Sequence, residues 1–231
     1  MHFRRHSSGP PYNPGVGELV SGKQCWSGFQ TPEESIAGFR GWHERGYLPH
    51  FDKTGLTQFI TFRLADAFPA ELRAELNTLM KIEDEYERRH QFESLLDKGH
   101  GTCYLCRPDV AALVEDALRF FHGRRYELCA WVVMPNHVHV LVRIGQVPMS
   151  EVVGSWKSHT AKVANKLLKH KGRFWAPEYW DTYMRNAEQE LRTVKYIEEN
   201  PARARLVRSF KEWPWSSARF RDEFGRLKLP A

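Results

Sequence analysis

Two histidines sit two residues apart inside an apolar run, Trp131-Val-Val-Met-Pro-Asn-His137-Val-His139-Val-Leu-Val142. Side chains of a strand alternate between its faces, so His137 and His139 point one way and Val138 and Val140 the other. Burying two imidazoles costs polar desolvation twice. Such a pair is either a hydrogen-bonded element of the core or half of a metal or catalytic site. Zinc motifs fit less well, because the chain has no H-E-x-x-H helix and no second Cys or His pair at zinc-finger spacing.

A second constellation lies downstream, Lys195-Tyr196-Ile-Glu-Glu-Asn200-Pro201. On a helix, Tyr196 and Asn200 are one turn apart and share a face. That face offers a phenol, one of the side chains able to form covalent intermediates, and an amide oxygen able to bind a cation. A divalent cation nearby would polarise a phosphoryl oxygen. The plainer alternative is a half-buried aromatic followed by a helix C-cap. Taken alone, the segment leaves that alternative open.

The elements that must position these residues follow from the pattern. Residues 1–24, rich in Gly, Pro and Ser, read as a disordered tail, and 25–50 as an extension of short helical turns. Leu56–Leu64 reads as a strand, rich in β-branched and aromatic residues. Pro69 opens one long charged helix over 69–97, and Pro108 another over 108–122. Tyr126–Val133 and His137–Arg143 read as a hairpin. A helix over 150–169 follows, with Ser150 as its N-cap. The aromatic segment Phe174-Trp175 and Glu178–Arg185 reads as a strand, and the helix from Ala187 stops at Asn200 before Pro201. Trp213-Pro-Trp215-Ser-Ser reads as a packed, turn-rich tail. This order predicts an α+β fold with an antiparallel sheet covered by helices.

Composition limits the function classes. The 231 residues suffice for one substantial domain with extensions, 42% of them hydrophobic and 13% aromatic. A net charge of +6 suits a nucleic-acid partner without proving one. The four cysteines include one lone C-x-x-C, Cys103-Tyr-Leu-Cys106, a weak zinc or redox signal. Scarce cysteines, no secretory signal after Arg4 and Arg5, and no bilayer-length apolar stretch predict a cytoplasmic protein with no membrane partner.

Taken together, the two motifs resemble those of the single-tyrosine HUH transposase superfamily, and more narrowly of the REP-associated tyrosine transposases. Met134-Pro-Asn-His-Val-His139 matches the His-hydrophobic-His motif and Tyr196-Ile-Glu-Glu-Asn-Pro201 the tyrosine helix. Phe59-Ile-Thr-Phe62, Trp156-Lys157, Tyr179-Trp-Asp181 and Trp213-Pro-Trp-Ser-Ser217 add support. The likeness spans about residues 46–218. It departs at Arg205, where such proteins often carry glycine, and at Ala176, where many carry glutamine.

The resemblance implies a ferredoxin-like, HUH-type fold with the domain over 51–218 and a C-terminal tail over 219–231. It implies that His137, His139 and Asn200 hold Mg²⁺ or Mn²⁺. It also implies that Tyr196 attacks a phosphate of single-stranded DNA, displaces a 3′-hydroxyl and leaves a 5′-phosphotyrosine. The partner would be single-stranded or hairpin DNA, on repetitive extragenic palindromes; the sequence leaves the oligomeric state open, with a monomer favoured. Along the chain, Lys157, Lys162, Lys166, Lys169, Lys171 and Arg173, then Arg203, Arg205 and Arg208, form a candidate phosphate path. Trp156, Trp175 and Trp180 are either core residues or platforms for unpaired bases. The other functions to weigh are a domesticated hairpin-binding protein that does not cleave, and a replication initiator or relaxase.

Overall fold

The computed structural model describes residues 30–45 and 48–229, with the backbone at 19–20 and 23–24. There, β1 (Leu19–Val20) pairs with β2 (Lys23–Gln24). The rest of the expected N-terminal tail lies outside the described residues.

The extension over 25–50 departs from expectation. Among its described residues it holds one short helix, α1 (Pro32–Ile36), with Thr31 and Glu34 as a reciprocal capping box. A hairpin then pairs β3 (Gly41–Arg45) with β4 (Leu48–Asp52). Strand pairing prevails over helical turns because Trp42 and Phe51 fall opposite each other and stack at 4.8 Å. The hairpin is fastened by buried His50, whose Nδ1 meets the Asp181 carboxylate.

The body is a four-stranded sheet, β5 (Thr57–Leu64), β6 (Tyr126–Val133), β7 (His137–Ile144) and β8 (Trp175–Tyr183). Its order is β6-β7-β5-β8, with every neighbouring pair antiparallel. The remaining elements are α2 (Arg73–Leu79), α3 (Glu85–Asp97), α4 (Pro108–Arg119), α5 (Met149–Leu168) and α6 (Ala187–Arg203). The α+β class with an antiparallel sheet covered by helices is thus observed. Its β-α-β-β-α-β frame places the first strand centrally, as in ferredoxin-like folds.

Alternation divides the sheet. Ile60, Phe62, Val138, Val140 and Val142 join one cluster with Val114 and Leu118 of α4 and Val153 and Trp156 of α5. Phe59, Val132 and Leu141 face the other way, against Ile197 of α6. A one-residue slip of β7 would exchange these sets, so burial on both faces fixes the register that aims the histidines.

Four further expectations are corrected. The helix over 69–97 is two helices: α2 ends near Met80, and Asp84 caps α3 by accepting from the Glu87 N–H at 2.7 Å. Ser150 lies inside the first turn of α5, whose N-cap is Pro148. The aromatic strand runs unbroken over Trp175–Tyr183 and stops short of the Met184 and Arg185 expected in it. Helix α6 continues past Pro201 to Arg203, and the last turn closes with the Ala204 N–H donating to the Asn200 carbonyl at 2.8 Å. Proline removes one hydrogen bond, which the terminal turn tolerates because little helix remains beyond it.

The tryptophan alternatives resolve toward the core. Trp156, Trp175 and Trp180 are buried, and the Trp156 and Trp175 indoles donate to Tyr126 Oη at 2.7 Å and Thr160 Oγ1 at 2.9 Å. They are not available to stack on bases. No helix among the described residues is long and apolar enough to cross a membrane.

The C-terminal motif has a mechanical role. Val133 donates its N–H to the Trp215 carbonyl at 2.8 Å, and the Trp213 indole donates to the Val133 carbonyl at 3.0 Å. The segment thereby covers the open edge of β6. Ser217 accepts from the Trp131 N–H at 3.1 Å and donates to Glu198 of α6. Arg221 pairs with the same Glu198 at 2.8 Å. The tyrosine helix is thus tied to the sheet from behind.

Candidate active site

His137 and His139 are fully buried on the face of β7 that looks toward α6, and their Nε2 atoms lie 3.1 Å apart. Burial, the largest cause for each, keeps both imidazoles neutral. His137 titrates well below the usual histidine range and His139 is lowered to about 3. A neutral imidazole keeps one lone pair, and its tautomer decides where that lone pair points.

Asn136 sets the tautomer of His137. Its Nδ2 donates to the carbonyls of Leu96 at 3.2 Å and His100 at 3.0 Å, which fixes the amide orientation. Its Oδ1, 2.7 Å from His137 Nδ1, can then only accept. His137 therefore carries its proton on Nδ1 and presents the Nε2 lone pair to the site. Gly101, at φ +87°, lets the loop carrying the His100 carbonyl press onto Asp66, where a Cβ would lie 2.5 Å from the Asp66 carbonyl oxygen.

His139 is paired differently. Its Nδ1 lies 2.8 Å from Thr61 Oγ1, and a hydroxyl donates or accepts. In one tautomer the Nε2–H of His139 donates to His137. With Nδ1–H turned to Thr61, both Nε2 lone pairs converge instead. Ligand bonds of about 2.1 Å at right angles put two donors roughly 3.0 Å apart, the spacing of this pair.

Helix α6 brings the predicted residues to the same place. The rings of Tyr196 and His139 are 5.7 Å apart, and Asn200 Nδ2 lies 3.5 Å from Tyr196 Oη. Asn200 is buried, and its Oδ1 has no hydrogen-bond partner. Burial, then Glu93, pushes the phenol far above its ordinary range, and Arg89 opposes this. Phe59 packs edge-on to Tyr196 at 5.8 Å and Arg203 lies 4.8 Å over the Tyr196 ring.

Three residues from α3 complete the site, and sequence reasoning missed them. Arg89 donates to Glu93 at 2.9 Å and lies 4.0 Å over the Phe59 ring. Glu93 is buried, and its negative charge helps to hold the Tyr196 phenol protonated. Asp97 Oδ1 is buried without a hydrogen-bond partner, 3.7 Å from His137 Nε2. Burial, then Glu93, raises the Asp97 carboxyl to about 6. The available signal was the i, i+4, i+8 spacing of Arg89, Glu93 and Asp97 alongside apolar Phe92 and Leu96.

Among the described residues no three His, Cys, Asp or Glu side chains form a ready-made metal cluster. The donor set nonetheless fits a divalent cation: two convergent imidazoles and an orphaned amide oxygen, with an orphaned carboxylate oxygen at the edge.

The basic candidates are dispersed. Lys162, Lys166, Lys169, Lys171, Arg173, Arg203, Arg205 and Arg208 are exposed. Lys157 instead donates to the carbonyls of Ala176 at 2.8 Å and Pro177 at 2.7 Å, bracing α5 against β8. Arg205 adopts φ +59°, a left-handed conformation that costs an ordinary residue roughly 1–2 kcal/mol.

The family model described as Transposase IS200 like matches residues 111–200, a span from α4 through Asn200. The chain is 27% identical over 95 residues to the REP-associated tyrosine transposase of Escherichia coli (strain K12). The match covers 41% of this chain and 55% of that protein, so the chain spans about half the length of its curated relative. A solved structure of a REP-associated tyrosine transposase bound to a REP hairpin is 21% identical, covering 76% of this chain and 81% of that one at a TM-score of 0.44. The match to the IS200-like transposase model thus spans the segment that carries both motifs.

Proposed function

We propose that this protein is a DNA strand-transfer enzyme that nicks single-stranded DNA through a 5′-phosphotyrosine at Tyr196, on hairpins of the repetitive extragenic palindrome class. The observation that carries the reading is the convergence of the Tyr196 phenol, the Asn200 amide and the two Nε2 atoms of His137 and His139. A lone buried tyrosine needs no such company. The substrate class rests on the likeness to the REP-associated relative.

In this reading His137, His139 and Asn200 hold Mg²⁺ or Mn²⁺, which when bound polarises a phosphate oxygen and offsets charge gathering on phosphorus. The protein's own residues do the positioning. Asn136 keeps the His137 lone pair turned inward, and Thr61 accepts a hydrogen bond from the His139 Nδ1–H. Phe59 and Arg203 hold the Tyr196 ring so that its oxygen approaches in line. Denaturing electrophoresis of the protein with a labelled single-stranded hairpin and Mn²⁺ tests the proposal. A covalent adduct that excess EDTA abolishes is expected. Binding without any adduct would favour a non-cleaving hairpin-binding protein.

Asn136→Ala should weaken Mn²⁺ binding about 10–100-fold, the usual cost of losing a partner that orients a ligand. Calorimetric titration with Mn²⁺ checks this, and an unchanged affinity would mean that the amide does not set the tautomer.

Exposed Lys162, Lys166 and Lys169, at helical spacing on α5 and its C-cap, are proposed to bind backbone phosphates. Replacing all three with Gln should weaken binding to every single strand. The slope of log K against log salt should fall by roughly 0.7 for each phosphate no longer neutralised. A slope equal to that of the wild type would place these lysines away from the DNA.

A further inference from the structure

We propose that Asp97, the last residue of α3, is a further ligand of the divalent cation that His137, His139 and Asn200 hold, and that its carboxylate makes the site prefer Mg²⁺ or Mn²⁺ to Zn²⁺ or Ni²⁺. This rests on the reading of those three residues as a cation site. Helix α3 lies outside the segment that matches the transposase family model.

Two buried oxygens without partners carry the proposal. Asp97 Oδ1 is buried, accepts no hydrogen bond and lies 3.7 Å from His137 Nε2. That separation is too long for a hydrogen bond. His137 also carries its proton on Nδ1, where Asn136 Oδ1 accepts it at 2.7 Å, so its Nε2 has nothing to donate. An imidazole nitrogen and a carboxylate oxygen thus stand together with no proton to share. On α6, Asn200 is 1% exposed, and its Oδ1 is likewise without a partner. A buried acceptor left unmet is costly, and more so when it is charged. A cation held by the histidines would satisfy both oxygens.

The spacing suits a shared ion. Two ligand atoms, each about 2.1 Å from one cation, stand roughly 3.0 Å apart when adjacent and roughly 4.2 Å when opposite. The 3.7 Å between Asp97 Oδ1 and His137 Nε2 falls inside that range. Among the described residues the His, Cys, Asp and Glu side chains do not close into a cluster of three. Asp97 has room to complete one, because its side chain is 27% exposed. Its neighbour Glu93 is already engaged, accepting from Arg89 Nε at 2.9 Å. The two carboxylates lie one turn apart on α3, a like-charge pairing that by itself weakens a helix. A cation beside Asp97 offsets it.

Selectivity follows from the donor chemistry. Two imidazoles alone suit Zn²⁺ and Ni²⁺, whereas carboxylate, carbonyl and water oxygens suit Mg²⁺ and Mn²⁺. With Asp97 the set becomes two nitrogens and two oxygens. His137, His139 and Asn200 are neutral and bring no charge, so Asp97 supplies one negative charge against the two positive charges of the ion.

The test is calorimetric titration of wild type, Asp97→Asn, Asp97→Ala and His137→Ala with Mn²⁺ and, separately, with Ni²⁺, together with thermal melting in the presence and absence of Mn²⁺. Both Asp97 variants should bind Mn²⁺ at least about 10–100-fold more weakly, no less than the loss of a group that merely orients a ligand. Their affinity for Ni²⁺ should fall less, so that the preference between the two ions moves by about tenfold or more toward Ni²⁺. Without a cation, Asp97→Asn should melt no lower than wild type, because an unmet charge is gone. Mn²⁺ should then raise the wild-type midpoint more than that of the variant. Mn²⁺ affinity within about threefold of wild type in both Asp97 variants would overturn the ligand role. Equal losses for Mn²⁺ and Ni²⁺, with a lower midpoint in the absence of cation, would mark Asp97 as a structural residue and overturn it too. Should the Asp97 variants fail to fold, Asp97→Glu decides: a retained preference for Mn²⁺ supports the carboxylate, and a lost one overturns it. Wild-type Mn²⁺ affinity in His137→Ala would instead sink the cation site itself, so the two failures are separable.

Discussion

Tyr196→Phe will form no covalent adduct with single-stranded hairpin DNA while still binding it. The substitution keeps the ring that packs against Phe59 at 5.8 Å and His139 at 5.7 Å, so the site keeps its shape. It removes only the oxygen that must attack phosphorus. Losing the hydrogen bond to Asn200 should cost about 1 kcal/mol of stability, too little to unfold a domain of this size. Hairpin affinity should stay within a few-fold of wild type, because binding to backbone phosphates supplies most of it. Electrophoresis under denaturing conditions reads the adduct, and a filter or mobility assay reads the binding. Adduct formation by Tyr196→Phe, with loss instead in Tyr179→Phe or Tyr183→Phe, would move the nucleophile to β8.

Replacing His137 or His139 with Ala should abolish cation-dependent cleavage. Each imidazole is a buried, neutral donor whose Nδ1 has a partner, leaving Nε2 for the site. Removing one leaves a single nitrogen, and Asn200 Oδ1 cannot hold the ion in place alone. Mn²⁺ affinity measured by calorimetry should fall beyond detection in the double variant, with hairpin binding preserved. Asn200→Ala should be milder, since water can replace one oxygen ligand with some loss of positioning. Full cleavage by the double variant, or by wild type in excess EDTA, would refute a metal role.

Both motifs were legible in the sequence because each is set by local periodicity. His137 and His139 share a face through the two-residue repeat of a strand, and Tyr196 and Asn200 through one helical turn. The strand-helix order likewise foretold the covered antiparallel sheet. The features that escaped were decided by tertiary packing. Glu93 and Asp97 look like any acidic residues on a charged helix until Phe92, Leu95 and Leu96 carry that face into the core. The break between α2 and α3 depends on the Asp84 cap, a short signal inside a long helical pattern. The hairpin of β3 and β4 depends on a cross-strand stack that a linear reading does not pair. Lys157 carries a charge suited to phosphate, yet two β8 carbonyls occupy it.

The most direct measurement is to identify the residue that carries the DNA. The adduct formed with a single-stranded hairpin and Mn²⁺ is digested with nuclease and trypsin, and the nucleotide-bearing peptide is sequenced by mass spectrometry. Cleavage after Lys195 and Arg203 isolates one segment, residues 196–203, in which Tyr196 is the sole tyrosine. The proposed chemistry predicts a phosphodiester remnant on Tyr196, absent when His137 and His139 are replaced. A remnant on any other residue, or cleaved DNA with no protein-linked nucleotide at all, would contradict it.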